Sequence, residues 1–153
     1  MPHITIKISL QYRIFLFLAL ALSWMTGITF FVLNRWFAVE GIFGWENHPW
    51  QYPALQVHGI AAFTMLMCAG ALIANHLPST WKTQRLRTSG LFILGALCLQ
   101  IGTAYLLYYA SNDDFRSFVS NLHTLIGATL PLILTVHILR GIRNKRSPKQ
   151  SKK

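Results

Sequence analysis

The stretch Ala54–Pro78, ALQVHGIAAFTMLMCAGALIANHLP, decides the reading of this chain because it holds no Asp, Glu, Lys or Arg. A helix of about 20 apolar residues is long enough to cross the ~30 Å hydrocarbon of a bilayer. There is no apolar–polar alternation of the kind a half-buried strand needs. Three further runs have the same character, so the chain carries four candidate spans, at about 14–33, 54–76, 90–110 and 118–140. With 53% hydrophobic and 12% charged residues, little is left to clothe a soluble domain. Short connections between the runs imply antiparallel neighbours. The expected fold is therefore all-α: an integral membrane four-helix up-down bundle over residues 1–141, followed by a basic, disordered tail at 142–153.

The net charge of +10 is not spread evenly. Lys7 and Arg13 precede the first span, Lys82, Arg85 and Arg87 separate the second from the third, and Arg140, Arg143, Lys145, Arg146, Lys149, Lys152 and Lys153 follow the fourth. The other side has Arg35 and Arg116 together with all four acids, Glu40, Glu46, Asp113 and Asp114. Basic residues are retained on the cytoplasmic side of a membrane. Both termini are thus expected to be cytoplasmic, and the tail is expected to meet anionic lipid headgroups rather than nucleic acid. The first run, with Lys7 and Arg13 before it and Ala19-Leu20-Ala21 within it, resembles a signal peptide. It continues to Leu33, beyond the ~7–15 residues of a signal core, and reads as a retained span.

Pro78 is expected to end the second span, Gly90 to open the third, and Pro131 to bend the fourth. The outer loop from Asn34 to Pro53 holds Trp36, Phe37, Phe43, Trp45, Trp50 and Tyr52, an aromatic set suited to the headgroup region, with room for a short helix. His48, in that loop, receives no role, and His3 is expected to be solvated. Cys68 and Cys98 read as small buried apolar residues, since no CxxC or CxxCH pattern is present.

Histidines are the ionisable groups placed within the spans. Such groups are costly in a bilayer and mark functional sites. His58 and His76 are 18 residues apart, five full turns, and His123 and His137 are 14 apart, within about 40° of four turns. Each pair thus shares a face. Opposed faces would let His58 meet His123 near the outer surface and His76 meet His137 near the inner one, the geometry of bis-histidine haem. The axial separations are roughly 27 Å and 21 Å, so the inner pair must absorb about 6 Å by tilt or bending. The candidate iron ligands are therefore His58, His123, His76 and His137, the outer pair fitting better, with one or two haems b as cofactor. Ala62, Met65, Ala69 and Leu72, then Gly127 and Leu130, lie between the histidines, while Gly95 and Gly102 recur on span three. Small residues leave room for a porphyrin, or simply let membrane helices pack closely. Gln100 and Thr103 read as interhelical polar contacts.

His58-Gly59, His76-Leu77-Pro78, Gly102-Thr-Ala-Tyr-Leu-Leu-Tyr-Tyr109, Leu122-His123 and Val136-His137 before a basic tail resemble the small four-helix membrane b-type cytochromes of bacteria, and more distantly the di-haem cytochrome subunits of formate dehydrogenases and hydrogenases. The resemblance covers about half the chain. It implies haem b held by histidines of two spans, in the bacterial inner membrane, and electron transfer between the quinone pool and a redox partner. The longer spacing on span two departs from the near-equal spacing of the di-haem subunits. With no carboxylate or nucleophile set in the spans, an electron-transfer protein or oxidoreductase subunit is expected rather than a stand-alone enzyme. A cofactor-free membrane scaffold or assembly subunit of a respiratory complex is the alternative. A transporter of metal or small solute is a weaker third reading, since the spans lack carboxylates.

Overall fold

A computed structural model describes residues 9–82 and 86–146. His3, Lys7, Arg85, Lys149, Lys152 and Lys153 lie outside the described residues, as does the tail from 147 onward. Four helices account for most of the described chain: α1 (Leu10–Trp36), α2 (Gln51–Lys82), α3 (Arg87–Tyr109) and α4 (Asp113–Arg146). All four are long and apolar enough to cross a membrane.

Three of the four helices start where a local group accepts one of their first N–H groups. The Ser9 hydroxyl accepts the Tyr12 N–H at 3.2 Å, and the Asn112 carboxamide oxygen accepts the Phe115 N–H at 2.8 Å. Asp113 and Asp114 occupy the first turn of α4, where the helix dipole favours negative charge. His48 has a structural role. Its Nδ1 accepts the Trp50 N–H at 3.2 Å and its carbonyl accepts the Gln51 N–H at 2.9 Å, which sets up the start of α2. Leu86, in the left-handed region at φ 57°, leads into α3 with its carbonyl accepting the Gly90 N–H at 2.9 Å.

Several boundaries differ from the expectation. The helix continues past Pro78 to Lys82, because loss of a single intrahelical bond at that proline does not stop the ladder resuming. Arg87, rather than Gly90, opens α3. α4 begins at Asp113, before its apolar run, since Asn112 supplies the cap; it passes Pro131 and extends through Ile142–Arg146, where the tail was expected. The loop between α1 and α2 contains a hairpin, β1 (Val39–Gly41) and β2 (Gly44–Glu46), in place of a short helix. It pairs Val39 with Glu46 and Gly41 with Gly44, around the connection Ile42–Phe43. Gly44 adopts φ 118°, which excludes most side chains, and a Cβ on Gly41 would collide with the Glu46 carboxylate. Ile42 and Phe43 at the hairpin tip are almost fully exposed.

The chain forms two compact units, one holding α1, the hairpin and α2, the other α3 and α4. Within each, contacts run in opposite directions along the two helices. Tyr12 meets Cys68 and Ser23 meets His58 in the first unit. Thr103 meets His123, and Ser89 meets His137, in the second. Each unit is therefore an antiparallel helical hairpin.

The packing is inverted relative to a water-soluble protein. Among the described residues, the buried ones are small or polar, Ala19, Ala61, Cys68, Ala69, Val119, Ser89 and Thr103, with Leu130 the largest. Large apolar side chains such as Phe15, Leu18, Phe63, Met67, Phe92 and Leu132 point outward. In lipid, apolar side chains gain nothing by leaving the surface, and helices associate through small residues and interhelical hydrogen bonds. Cys98 is exposed on α3, unlike Cys68, and departs from the expectation that both cysteines are buried.

Candidate functional site

The first helical hairpin brings His58 against α1. Its Nδ1 lies 2.9 Å from the Ser23 carbonyl oxygen. A carbonyl only accepts, so His58 donates through Nδ1–H, and in the neutral imidazole the lone pair then sits on Nε2. Gly27 makes this approach possible. A Cβ at that position would stand 2.9 Å from Cε1 and 3.0 Å from Nδ1 of the ring. The Thr26 hydroxyl donates to the Leu22 carbonyl at 2.7 Å, with the Ser23 carbonyl a second acceptor at 3.2 Å. Along the same face of α2, Met65 and Leu72 are half-buried and Ala69 is buried, whereas Ala62 is exposed. His76 is half-buried near the other end of α2, next to Asn75, whose amide donates to the Ala71 carbonyl at 2.9 Å.

The second hairpin holds His123 and His137, and both reach α3, in keeping with their shared face on α4. The Thr103 hydroxyl donates to the Leu99 carbonyl at 2.8 Å, with the Gln100 carbonyl at 3.1 Å as a second acceptor. A hydroxyl has one proton, so Thr103 is left as an acceptor for His123 Nδ1–H at 2.9 Å. His123 Nε2 then carries the lone pair, and the Gln100 amide donates to it at 3.0 Å. The Gln100 carboxamide oxygen is buried without a hydrogen-bond partner. Gly127 provides the space for that amide, since a Cβ there would lie 2.8 Å from Gln100 Nε2.

His137 repeats the arrangement. The Ser89 hydroxyl donates to the Leu86 carbonyl at 3.2 Å and meets His137 Nδ1 at 2.9 Å. Gly90 lies beneath the ring, its would-be Cβ 3.9 Å from Cε1. Thr103 and Ser89 are both buried, at 5% and 7% exposure, which keeps water from competing for these bonds.

Three of the four candidate histidines thus have Nδ1 2.9 Å from an oxygen of the neighbouring helix, a carbonyl at His58 and a hydroxyl at His123 and His137. Metal-ligating histidines are oriented in this way, the ring nitrogen that is not a ligand donating to a carbonyl or other oxygen. Imidazole nitrogen is a haem-iron donor by type, and at His123 the Gln100 amide would have to leave Nε2 for that atom to ligate. Among the described residues, no three His, Cys, Asp or Glu side chains converge on one point.

Sequence reasoning named the histidines but missed what holds them. Ser23 and Gly27 are unremarkable in an apolar run. Ser89 stands at the edge of one. Gln100 and Thr103 were visible as polar groups one turn apart, and they do bridge helices, but their partner is His123. Gly95 and Gly102, expected to make room on span three, face open space, with nothing within 4 Å of an added Cβ. No family model matches the chain, and neither does any curated protein or solved structure.

Proposed function

We propose that this chain is an integral membrane b-type cytochrome, folded as a four-helix up-down bundle with both termini on the cytoplasmic side of a bacterial inner membrane. His58, His123, His76 and His137 would be the haem iron ligands, for one or two haems b. The carrying observation is that oxygens of Ser23, Thr103 and Ser89 lie 2.9 Å from Nδ1 of His58, His123 and His137, a placement that orients each ring and suits the Nδ1–H tautomer, in which Nε2 would be the donor to iron. The charge distribution supports the orientation, with the basic residues concentrated on one side of the spans. The antiparallel helical hairpins are those an up-down bundle needs.

Bound haem supplies one-electron redox chemistry. The protein's own contribution is to hold and orient the imidazoles and to keep water from them through buried helix contacts. The apolar runs offer no carboxylate and no nucleophile–base set for transforming a substrate, so the proposed role is electron transfer between the quinone pool and a redox partner. A reduced-minus-oxidised difference spectrum of the purified protein in detergent tests this. A b-type spectrum is expected, and a colourless protein after expression with ample haem would refute it.

The second reading is a cofactor-free scaffold or assembly subunit of a respiratory complex. The Gln100 amide on His123 Nε2 favours it, because both ring nitrogens are then satisfied within the α3–α4 pair. The two readings differ in what happens when Gln100 is removed.

A further inference from the structure

We infer that the β-hairpin between α1 and α2 is a lipid-inserting wedge, whose tip, Ile42 and Phe43, enters the boundary between headgroups and acyl chains of the bilayer that the helices cross. The inference needs the spans and is independent of haem. Turn chemistry is its first support. Two-residue hairpin loops favour Asn, Asp and Gly, because the turn usually needs positive φ. Here Gly44 carries the positive φ, at 118°, and Ile42 and Phe43 keep ordinary backbone angles. The tip can therefore hold large apolar side chains, and it does, at 93% and 96% exposure. Neither side chain serves the protein's own packing.

Position is the second support. α1 ends at Trp36 and α2 begins at Gln51, so both feet of the β-hairpin stand at one membrane surface. Exposed Trp36 and Phe37 flank one foot, and Trp50 and Tyr52 the other, residue types that settle at headgroup level. A three-residue strand spans about 10 Å. The headgroup zone of a leaflet is about 5–8 Å deep, so the tip has the reach to cross it.

The charges select lipid over a protein partner. Opposed residues of an antiparallel ladder share a face. Glu40 pairs with Trp45, and Val39 with Glu46, so each face of the sheet carries a carboxylate. A flat apolar partner would desolvate one of them. A tip-first approach does not, because the acids stand two and three residues behind the tip. No Lys or Arg lies between Trp36 and Trp50, so the attraction is hydrophobic and does not require anionic lipid.

The test uses full-length protein in phosphatidylcholine vesicles, with Cys68 and Cys98 replaced by Ala and a nitroxide on one new cysteine, Ile42→Cys, Phe43→Cys or Asn47→Cys. At both tip positions, oxygen should relax the spin more than a water-soluble nickel chelate does. At Asn47 the order should reverse. Adding phosphatidylglycerol should change neither result. Ile42→Asp beside a label at position 43 should return that label to water, with helical content by circular dichroism unchanged. Nickel exceeding oxygen at both tip positions would overturn the inference. So would a tip shielded from both reagents, or spin coupling between tips that dilution with unlabelled protein removes, since protein rather than lipid would then cover it.

Discussion

The imidazole of His58 occupies the space that a side chain at position 27 would fill. A Cβ built on Gly27 meets His58 Cε1 at 2.9 Å, and the same ring bonds the Ser23 carbonyl one turn earlier on α1. One glycine thus sets how closely α2 approaches α1 at the candidate ligand, and the small buried residues Ala61, Cys68 and Ala69 continue along α2 from it.

Gly27→Ala should therefore displace the ring and break its bond to Ser23. The overpacking costs about 1–3 kcal/mol, against about 1 kcal/mol gained from helix propensity. A lower apparent melting temperature in detergent is expected. Gly95→Ala is the control. It gains the same propensity with nothing within 4 Å, so its melting temperature should stay level or rise.

Gln100 separates the two readings. Its amide bonds His123 Nε2, while its buried oxygen has no partner. If iron takes Nε2, that amide must give way, and Gln100→Leu should speed haem uptake while changing stability by less than about 1 kcal/mol. In a scaffold, the same substitution removes one of the interhelical bonds that hold His123. It should then lower the melting temperature and leave the protein colourless. Haem titration and thermal unfolding of one variant decide between them.

Much of this was legible in the residues. Four apolar runs announced four helices, because a span in hydrocarbon leaves a stretch without formal charge. Their ends were less legible. Asn112 caps α4 from outside its apolar run, and Pro78 lies inside α2 without stopping it. The hairpin at Val39–Glu46 was hidden among aromatic residues that signal an interface rather than a strand. The histidines stood out as ionisable groups in apolar surroundings. Ser23, Gly27 and Ser89 did not, because which residue faces His58 or His137 depends on the register of two helices, a tertiary quantity with no local signature.

Arg116 sits one turn into α4 and reaches back to α3. Its Nη1 donates to the Leu107 carbonyl at 3.0 Å and lies 3.4 Å from that of Ala110, at the α3 end where helix carbonyls lack intrahelical partners. Arg116→Ala should cost about 1 kcal/mol, read as a lower melting temperature in detergent, and Arg116→Lys should recover part of it.

The proposed topology places the hairpin loop and the α3–α4 turn on the outer side. With Cys68 and Cys98 replaced by Ala, single cysteines at Asn47 and Ser111 should react with a membrane-impermeant maleimide in intact cells. A cysteine at Thr88 should react after the membrane is opened. The reverse pattern would invert the orientation inferred from the basic residues.

The most direct measurement is haem content per chain in wild type and in four variants, each with one of His58, His76, His123 or His137 replaced by Ala, purified in detergent and read by reduced-minus-oxidised spectra. The account predicts a b-type spectrum with one or two haems per chain in the wild type. It predicts loss or a clear shift of a haem on replacing His58 or His123. A colourless wild type, or a haem spectrum that all four substitutions leave unchanged, would contradict it.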